Sequence, residues 1–519
     1  MKKVSGVKWD FFSVWFVLIA VILVLAIPIF PVFASGKAIR IAMFSNDPVG
    51  IDVLSQAFSP DGFSVLAQIS EPLLHPDVDG KLQGAIAHTW RQINATEWEF
   101  RIRKGITFHN GELCDGYAVK TSIETILDPH VGSAFSQPLN TIKSASVSST
   151  DPYVVRIKTF FPDGMLLYRL SFAAILPPRY LKAVGVEGFH KRPVGTGPFR
   201  FVKWVPKKEI ILKRNTDYWR KGFPKVDTLI YVILPPDKWI QALKEGRVNV
   251  VPFLDGRHIR EVVKNKDLRV SKRKCLFTTV IMLHNRGPLA FKAVRQALNY
   301  ALDKNDIVKY ADYGNSIPVA SLGLEESIGK NVDIKPYPYD MEKAKRLLAE
   351  TPFAKGFTLK VLAGDMSEAL AKIMKAQYSK INVRLDLEIV PRTDLTQKVM
   401  IYQIRNHLKR PDYDLVLYPV DNPLIDSSFT ARWAYFSQSP WSLLRSRDYD
   451  EKYLWALKAN PLKAHEKRLW ELDRFFHEEA FSIFTTQRIL TVVTHKGVTL
   501  PIPLSGSFYY GSLDQAEVN

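Results

Sequence analysis

The sequence predicts an α/β protein built from several structural units, for three reasons. Short strand-like runs alternate with amphipathic helical runs along the chain. Its 519 residues exceed the usual domain size of roughly 150 several times over, giving about three units. The composition, 46% hydrophobic and 24% charged, suits large buried cores, and no low-complexity linker or solenoid repeat breaks the alternation.

Lys2, Lys3 and Lys8 come first, followed by a nearly unbroken apolar run over 11–30 and then Pro31-Val32-Phe33-Ala34-Ser35-Gly36. A positive segment, an apolar segment and a Val-x-Ala site form an export signal, with cleavage expected after Ala34. The alternative is a retained anchor, since about twenty residues at about 1.5 Å each would just cross the hydrocarbon core of a bilayer. Both place the bulk of the chain outside the cytoplasm. No cysteine precedes Cys114, so no lipid-attachment cysteine follows the signal, which favours a periplasmic location. Cys114 and Cys275 stand far apart and are expected to be two free thiols. The net charge of +19 is scattered, without a polybasic block, and reads as a solvated basic surface with no nucleic-acid partner.

Residues 39–43 form the first strand candidate. Residues 98–103 alternate apolar and charged side chains as a half-buried strand does, and Lys104-Gly105 makes the following turn. Asp115 caps a helix that carries Val119 and Ile123. Over 291–302, Val294, Ala297, Leu298, Ala301 and Leu302 form an inward stripe, with Lys292, Arg295, Gln296 and Asn299 on the other face. Asp340 caps a helix with Ala344, Leu347 and Leu348 inward, and Leu469, Leu472, Phe475 and Phe476 repeat the pattern.

Enzyme motifs are missing. Residues 193–204, PVGTGPFRFVKW, continue from Gly197 into Pro198 and a strand-like run, so no helix N-terminus is there to hold a phosphate. The third glycine of a dinucleotide loop is replaced by Arg200. No Gly-x-Ser-x-Gly elbow occurs, and the His-Glu pairs at 465 and 477 lack the second histidine of a zinc-protease helix. A non-enzymatic protein without cofactor or metal is expected.

The 193–204 stretch, followed by Arg214-Asn215-Thr216-Asp217-Tyr218-Trp219 and on to Asp227, resembles the extracytoplasmic peptide-binding proteins of ABC importers, solute-binding protein family 5. Further pieces keep the family's order: Glu71-Pro72-Leu73-Leu74, residues 100–111, the cap at Asp115, residues 242–249, residues 293–298 and residues 340–344. The resemblance implies a two-lobed α/β fold of the type II periplasmic-binding-protein kind that closes about a hinge. The expected layout is main sheet of lobe one at 35–70 and 192–268, inserted subdomain at 71–191, lobe two at 269–488, and a return to lobe one at 489–519. It also implies a peptide ligand, an inner-membrane ABC permease as partner, and a monomer. A non-peptide ligand such as a nickel complex, haem or a sugar, or a tethered sensor or assembly factor, are the alternatives.

Residues 414–418 read as a buried strand and 419–423 as the loop leaving its carboxyl end, the place where open α/β sheets bind ligands. A carboxylate there suits an ammonium group. By resemblance, Asp421 pairs with the peptide's α-amino group, with Tyr418 and Asn422 beside it. The competing role for Asp421 is an Asx-type loop cap. The family usually has tryptophan at Tyr418. Dipeptide binders also have an arginine after the strand at 359–362, where this chain has Ala363-Gly364-Asp365, so a longer peptide fits better than a dipeptide.

N-terminal sequencing of the exported protein should give a start at or near Ser35. A start at Met1 would instead identify residues 11–30 as a permanent anchor.

Overall fold

Most of the strand-like runs assemble into one mixed sheet within the compact unit Ala38–Asn519. This computed structural model describes residues 37–43, 48, 50–56, 59–504 and 513–519, and the export segment at 1–34 lies outside them. In chain order the strands used below are β1 (Ala38–Met43), β2 (Ala87–Asn94), β3 (Glu97–Ile102), β4 (Ile142–Val147), β5 (Val154–Thr159), β6 (Phe199–Val205) and β7 (Glu209–Arg214). They continue as β8 (Thr228–Ile233), β9 (Val250–Val251), β10 (Leu268–Leu283), β11 (Phe357–Gly364), β12 (Val383–Val390), β13 (Leu415–Asp421) and β14 (Thr486–His495).

The main sheet runs β12-β11-β13-β10-β14-β9-β1-β8-β7-β6, with Ser316–Pro318 pairing β14 off this path. β1 and β6 thus lie in one sheet. β10 spans both ends of it. Its residues from Leu268 to Lys274 pair antiparallel with β14, those from Phe277 to Leu283 pair antiparallel with β13, and the β14 register shifts between Lys274 and Thr278. A separate four-stranded sheet, β2-β3-β5-β4, belongs to the segment between β1 and β6. Distinct apolar cores sit under the two ends of the main sheet and inside that intervening segment. Among the described residues no helix is long and apolar enough to cross a membrane.

Helix ends follow the local chemistry. Asp115 accepts the Ala118 N–H at 3.0 Å and opens the helix Gly116–Leu127, burying Val119 and Ile123. Asp340 accepts the Lys343 N–H at 2.8 Å and opens Met341–Ala349, burying Ala344 and Leu348 and half-burying Leu347. The helix Lys292–Tyr300 departs from expectation, because Arg295 and Asn299 are buried rather than on a solvent face. Arg295 donates to the carbonyls of Leu289, Ala290 and Glu479. Asn299 donates to the Ser482 carbonyl and accepts the Phe484 N–H. Hydrogen bonds to chain distant in sequence offset the burial of these polar groups.

The Gly195-Thr196-Gly197 stretch is a crossing point, with no room for a phosphate. It passes the end of the helix Pro60–Ile69 so closely that a Cβ on Gly195 would stand 2.2 Å from the Ile69 carbonyl oxygen, and one on Gly197 2.5 Å from that of Gln68. The Gly197 N–H donates to the Ile69 carbonyl at 2.8 Å. His109 grips the same turn: one ring nitrogen lies 2.9 Å from the Gly197 carbonyl, and the other receives the Gly195 N–H at 3.4 Å. The ring is therefore neutral, donating from Nε2, and burial holds its pKa down at about 4. Arg200 reaches the His109 carbonyl and the side chains of Asn215 and Asp217.

Beneath the turn, the buried Glu71 carboxyl group accepts from the Tyr218 hydroxyl at 2.7 Å, the Trp219 indole at 2.9 Å and the Thr196 hydroxyl at 3.0 Å. Pieces of sequence far apart in the chain thus converge on a single polar node.

Burial pushes the Glu71 carboxyl up to about 7 although three donors oppose the shift. A carboxyl whose pKa is higher in the folded state contributes stability that is fully present below its unfolded value and lost as pH rises through about 7. Glu71→Gln should therefore gain stability relative to the parent as pH rises from about 4.5 to about 7, by up to about 1.4 kcal/mol per pH unit in urea denaturation, and the difference should level off above that. Parallel curves for the two proteins would refute this assignment.

Cys114 and Cys275 are free and buried. Thiol counting without reductant should find neither reactive in the native protein and both after denaturation, whereas finding none after denaturation would contradict the structure.

Candidate functional site

β13 is apolar and buried from Leu415 to Val420, lying between β10 and β11. On one side, Leu415, Val416 and Leu417 pair with Val361, Leu362 and Ala363 of β11. On the other, the pairing with β10 continues to Asp421, opposite Phe277. Past Leu417 the strand is therefore paired on its β10 side alone, which accommodates Pro419 and its missing N–H. The strand runs to Asp421, three residues further than the sequence suggests, because Pro419 and Val420 still pair with Thr279 and Thr278. Asp421 is partly exposed at its carboxyl end.

The turn that follows is held from within. The Asn422 N–H donates to the Leu276 carbonyl at 2.8 Å. Its side chain accepts the Leu424 N–H at 3.2 Å and donates to the Asp426 carbonyl at 2.8 Å. Asn422 is thus committed to the loop at both ends of its amide. Leu424 enters the core of the intervening segment, with Val53, Leu54 and Phe108. Ile425 has a φ of 61°, a left-handed conformation that a β-branched residue rarely adopts. Asp426 then caps the helix Ser427–Thr430 through the Ser428 N–H and faces His465 at 3.3 Å.

Tyr418 lies three residues before Asp421, so strand alternation directs the two side chains to opposite faces. Its ring packs against Trp433 and Trp441 at centroid distances of 5.1 and 4.6 Å, and the Arg392 guanidinium lies 5.5 Å from the ring centre. The tryptophan expected at 418 is absent, but two others supply aromatic surface beside it. Sequence reasoning passed over Trp433, Trp441 and Arg392, because they come from separate segments with no shared spacing. Burial, followed by the charge of Asp421, pushes the Cys275 thiol up to about 12. Among the described residues there is no group of three or more His, Cys, Asp or Glu side chains placed to hold a metal ion.

Residues 81–441 match the family described as bacterial extracellular solute-binding proteins, family 5 (middle region). The glutathione-binding protein GsiB of Pectobacterium atrosepticum is 27% identical over 327 residues, covering 60% of this chain and 61% of that protein. The chain thus aligns with about three-fifths of that relative's length. Among solved structures, NikZ from Campylobacter jejuni in complex with Ni(L-His) superposes with a TM-score of 0.78 at 23% identity, covering 91% of this chain and 97% of NikZ. The oligopeptide-binding protein AppA from Bacillus subtilis, in complex with a nonapeptide, gives 0.77 at 18% identity, covering 93% and 99%. These likenesses show the two-lobed binding-protein fold. The chain belongs to family 5 of the bacterial extracellular solute-binding proteins.

Proposed function

We propose that the protein captures a peptide between two lobes and delivers it to an inner-membrane ABC permease, with Asp421 pairing with the peptide's ammonium group. The observation that carries this reading is the position of Asp421: a partly exposed carboxylate at the carboxyl end of a buried strand, followed by a turn fixed through Asn422 and Asp426. A carboxylate held this way pairs with a cation at little further cost in ordering. The names of GsiB and AppA, which refer to glutathione and oligopeptides, support a peptide ligand. β11 ends in Ala363 and Gly364 and is followed by Asp365, with no arginine to fix a dipeptide's tail, which favours a longer peptide.

In this reading lobe one comprises 35–70, 192–268 and 489–519 with 71–191 inserted, and lobe two comprises 269–488. Closure bends the chain where β10 and β14 pass between them. The protein works as an exported, periplasmic monomer and performs no chemistry on its ligand. Tyr418, on the strand face opposite Asp421, serves by packing the strand against Trp433 and Trp441, and Asn422 by fixing the turn.

Removing Asp421 would leave the ammonium buried without its partner, a loss of about 2–5 kcal/mol. Asp421→Ala should therefore weaken peptide binding by between about 30-fold and several thousand-fold in calorimetry, with little change in fold stability. N-acetylated peptide should bind the parent poorly. Equal affinity of parent and variant for free peptide, or acceptance of the acetylated form unchanged, would reduce Asp421 to a loop cap.

A further inference from the structure

Where the intervening segment meets the helices after β13, several charged groups are withdrawn from water. Arg169, 4% exposed, pairs with Asp163 at 3.2 Å. Asp163 also accepts from the Thr141 hydroxyl at 2.7 Å and the Met165 N–H at 2.9 Å. Asp426 is committed to Ser428 and His465. Both carboxylates are therefore engaged.

Arg432, on the helical segment that follows Asp426, is partly buried and has no carboxylate within ion-pair distance among the described residues. Its guanidinium reaches only neutral oxygens, Asn140 Oδ1 at 3.2 Å, the Gln137 carbonyl at 3.4 Å and Gln137 Oε1 at 3.5 Å. Among the described residues the buried Tyr453 hydroxyl has no hydrogen-bond partner, and Arg169 Nε makes only its ion-pair approach to Asp163. Arg169 and Tyr453 both act electrostatically on Arg432. A partly buried cation with only long contacts to neutral groups, beside unpartnered donors, is unfavourable unless an anion completes it.

We infer that Arg432, with Arg169 and the Tyr453 hydroxyl, forms a subsite for a carboxylate of the bound ligand, either the C-terminus or an acidic side chain. A carboxylate there would replace the long contacts of Arg432 with charge-assisted hydrogen bonds. This rests on the reading of the ligand as a peptide.

The test offers the purified protein equimolar random tripeptide-to-pentapeptide pools with a free N-terminus, as free acids and as C-terminal amides, with either Glu or Gln at one fixed position. Native mass spectrometry of the retained fraction reads the preference. The parent should enrich carboxylate-bearing peptides by roughly 10- to 150-fold over those without. Arg432→Gln should abolish that preference and Tyr453→Phe should reduce it. Enrichment of free acids identifies the C-terminus as the source, and enrichment of Glu-containing amides identifies the side chain. Equal retention by the parent of Glu-free acids and Glu-free amides together with equal retention of Glu- and Gln-containing amides, or an undiminished preference in folded Arg432→Gln, overturns the subsite while leaving peptide capture intact. A parent that retains no peptide in any form overturns the peptide reading and this inference with it.

Discussion

The fold depends on one strand serving two neighbours. β10 pairs first with β14 and then with β13, and the β14 register shifts between Lys274 and Thr278, so a single stretch of backbone joins both ends of the sheet. Asp421 lies opposite Phe277, just beyond Lys274 on the β13 side of that junction. The position of the candidate ligand carboxylate is therefore set by the same strand that joins the two parts of the sheet.

A second polar constraint holds the opposite end together. Three donors surround Glu71, and two glycines let the chain cross the helix Pro60–Ile69 at a distance no side chain would permit. Residues that look like a ligand loop in sequence are scaffold in space. Near Arg432 an ordinary stretch of sequence brings a cation to a buried cluster that, among the described residues, offers it no ion-paired carboxylate.

Sequence alone made the α/β class legible through its periodicity, and the caps at Asp115 and Asp340 through their side-chain chemistry. Asp421 was legible as a carboxylate near a strand end, although Pro419 concealed how far that strand continues. What stayed hidden depends on long-range contacts. Arg295 and Asn299 read as a solvent face because their partners, Glu479, Ser482 and Phe484, lie far away in sequence. Trp433 and Trp441 meet Tyr418 only after folding, and the lack of a carboxylate beside Arg432 among the described residues is a property of the packed structure.

In the proposed mechanism, ligand capture closes two lobes about β10 and β14. Nitroxides attached through Tyr117→Cys and Ile404→Cys, at positions 58% and 54% exposed in the proposed inserted subdomain and the proposed second lobe, report that motion by double electron–electron resonance. Saturating peptide should shift the distance distribution to a shorter, narrower peak. An unchanged distribution, under conditions where calorimetry shows the peptide bound, would contradict closure as the mechanism of capture.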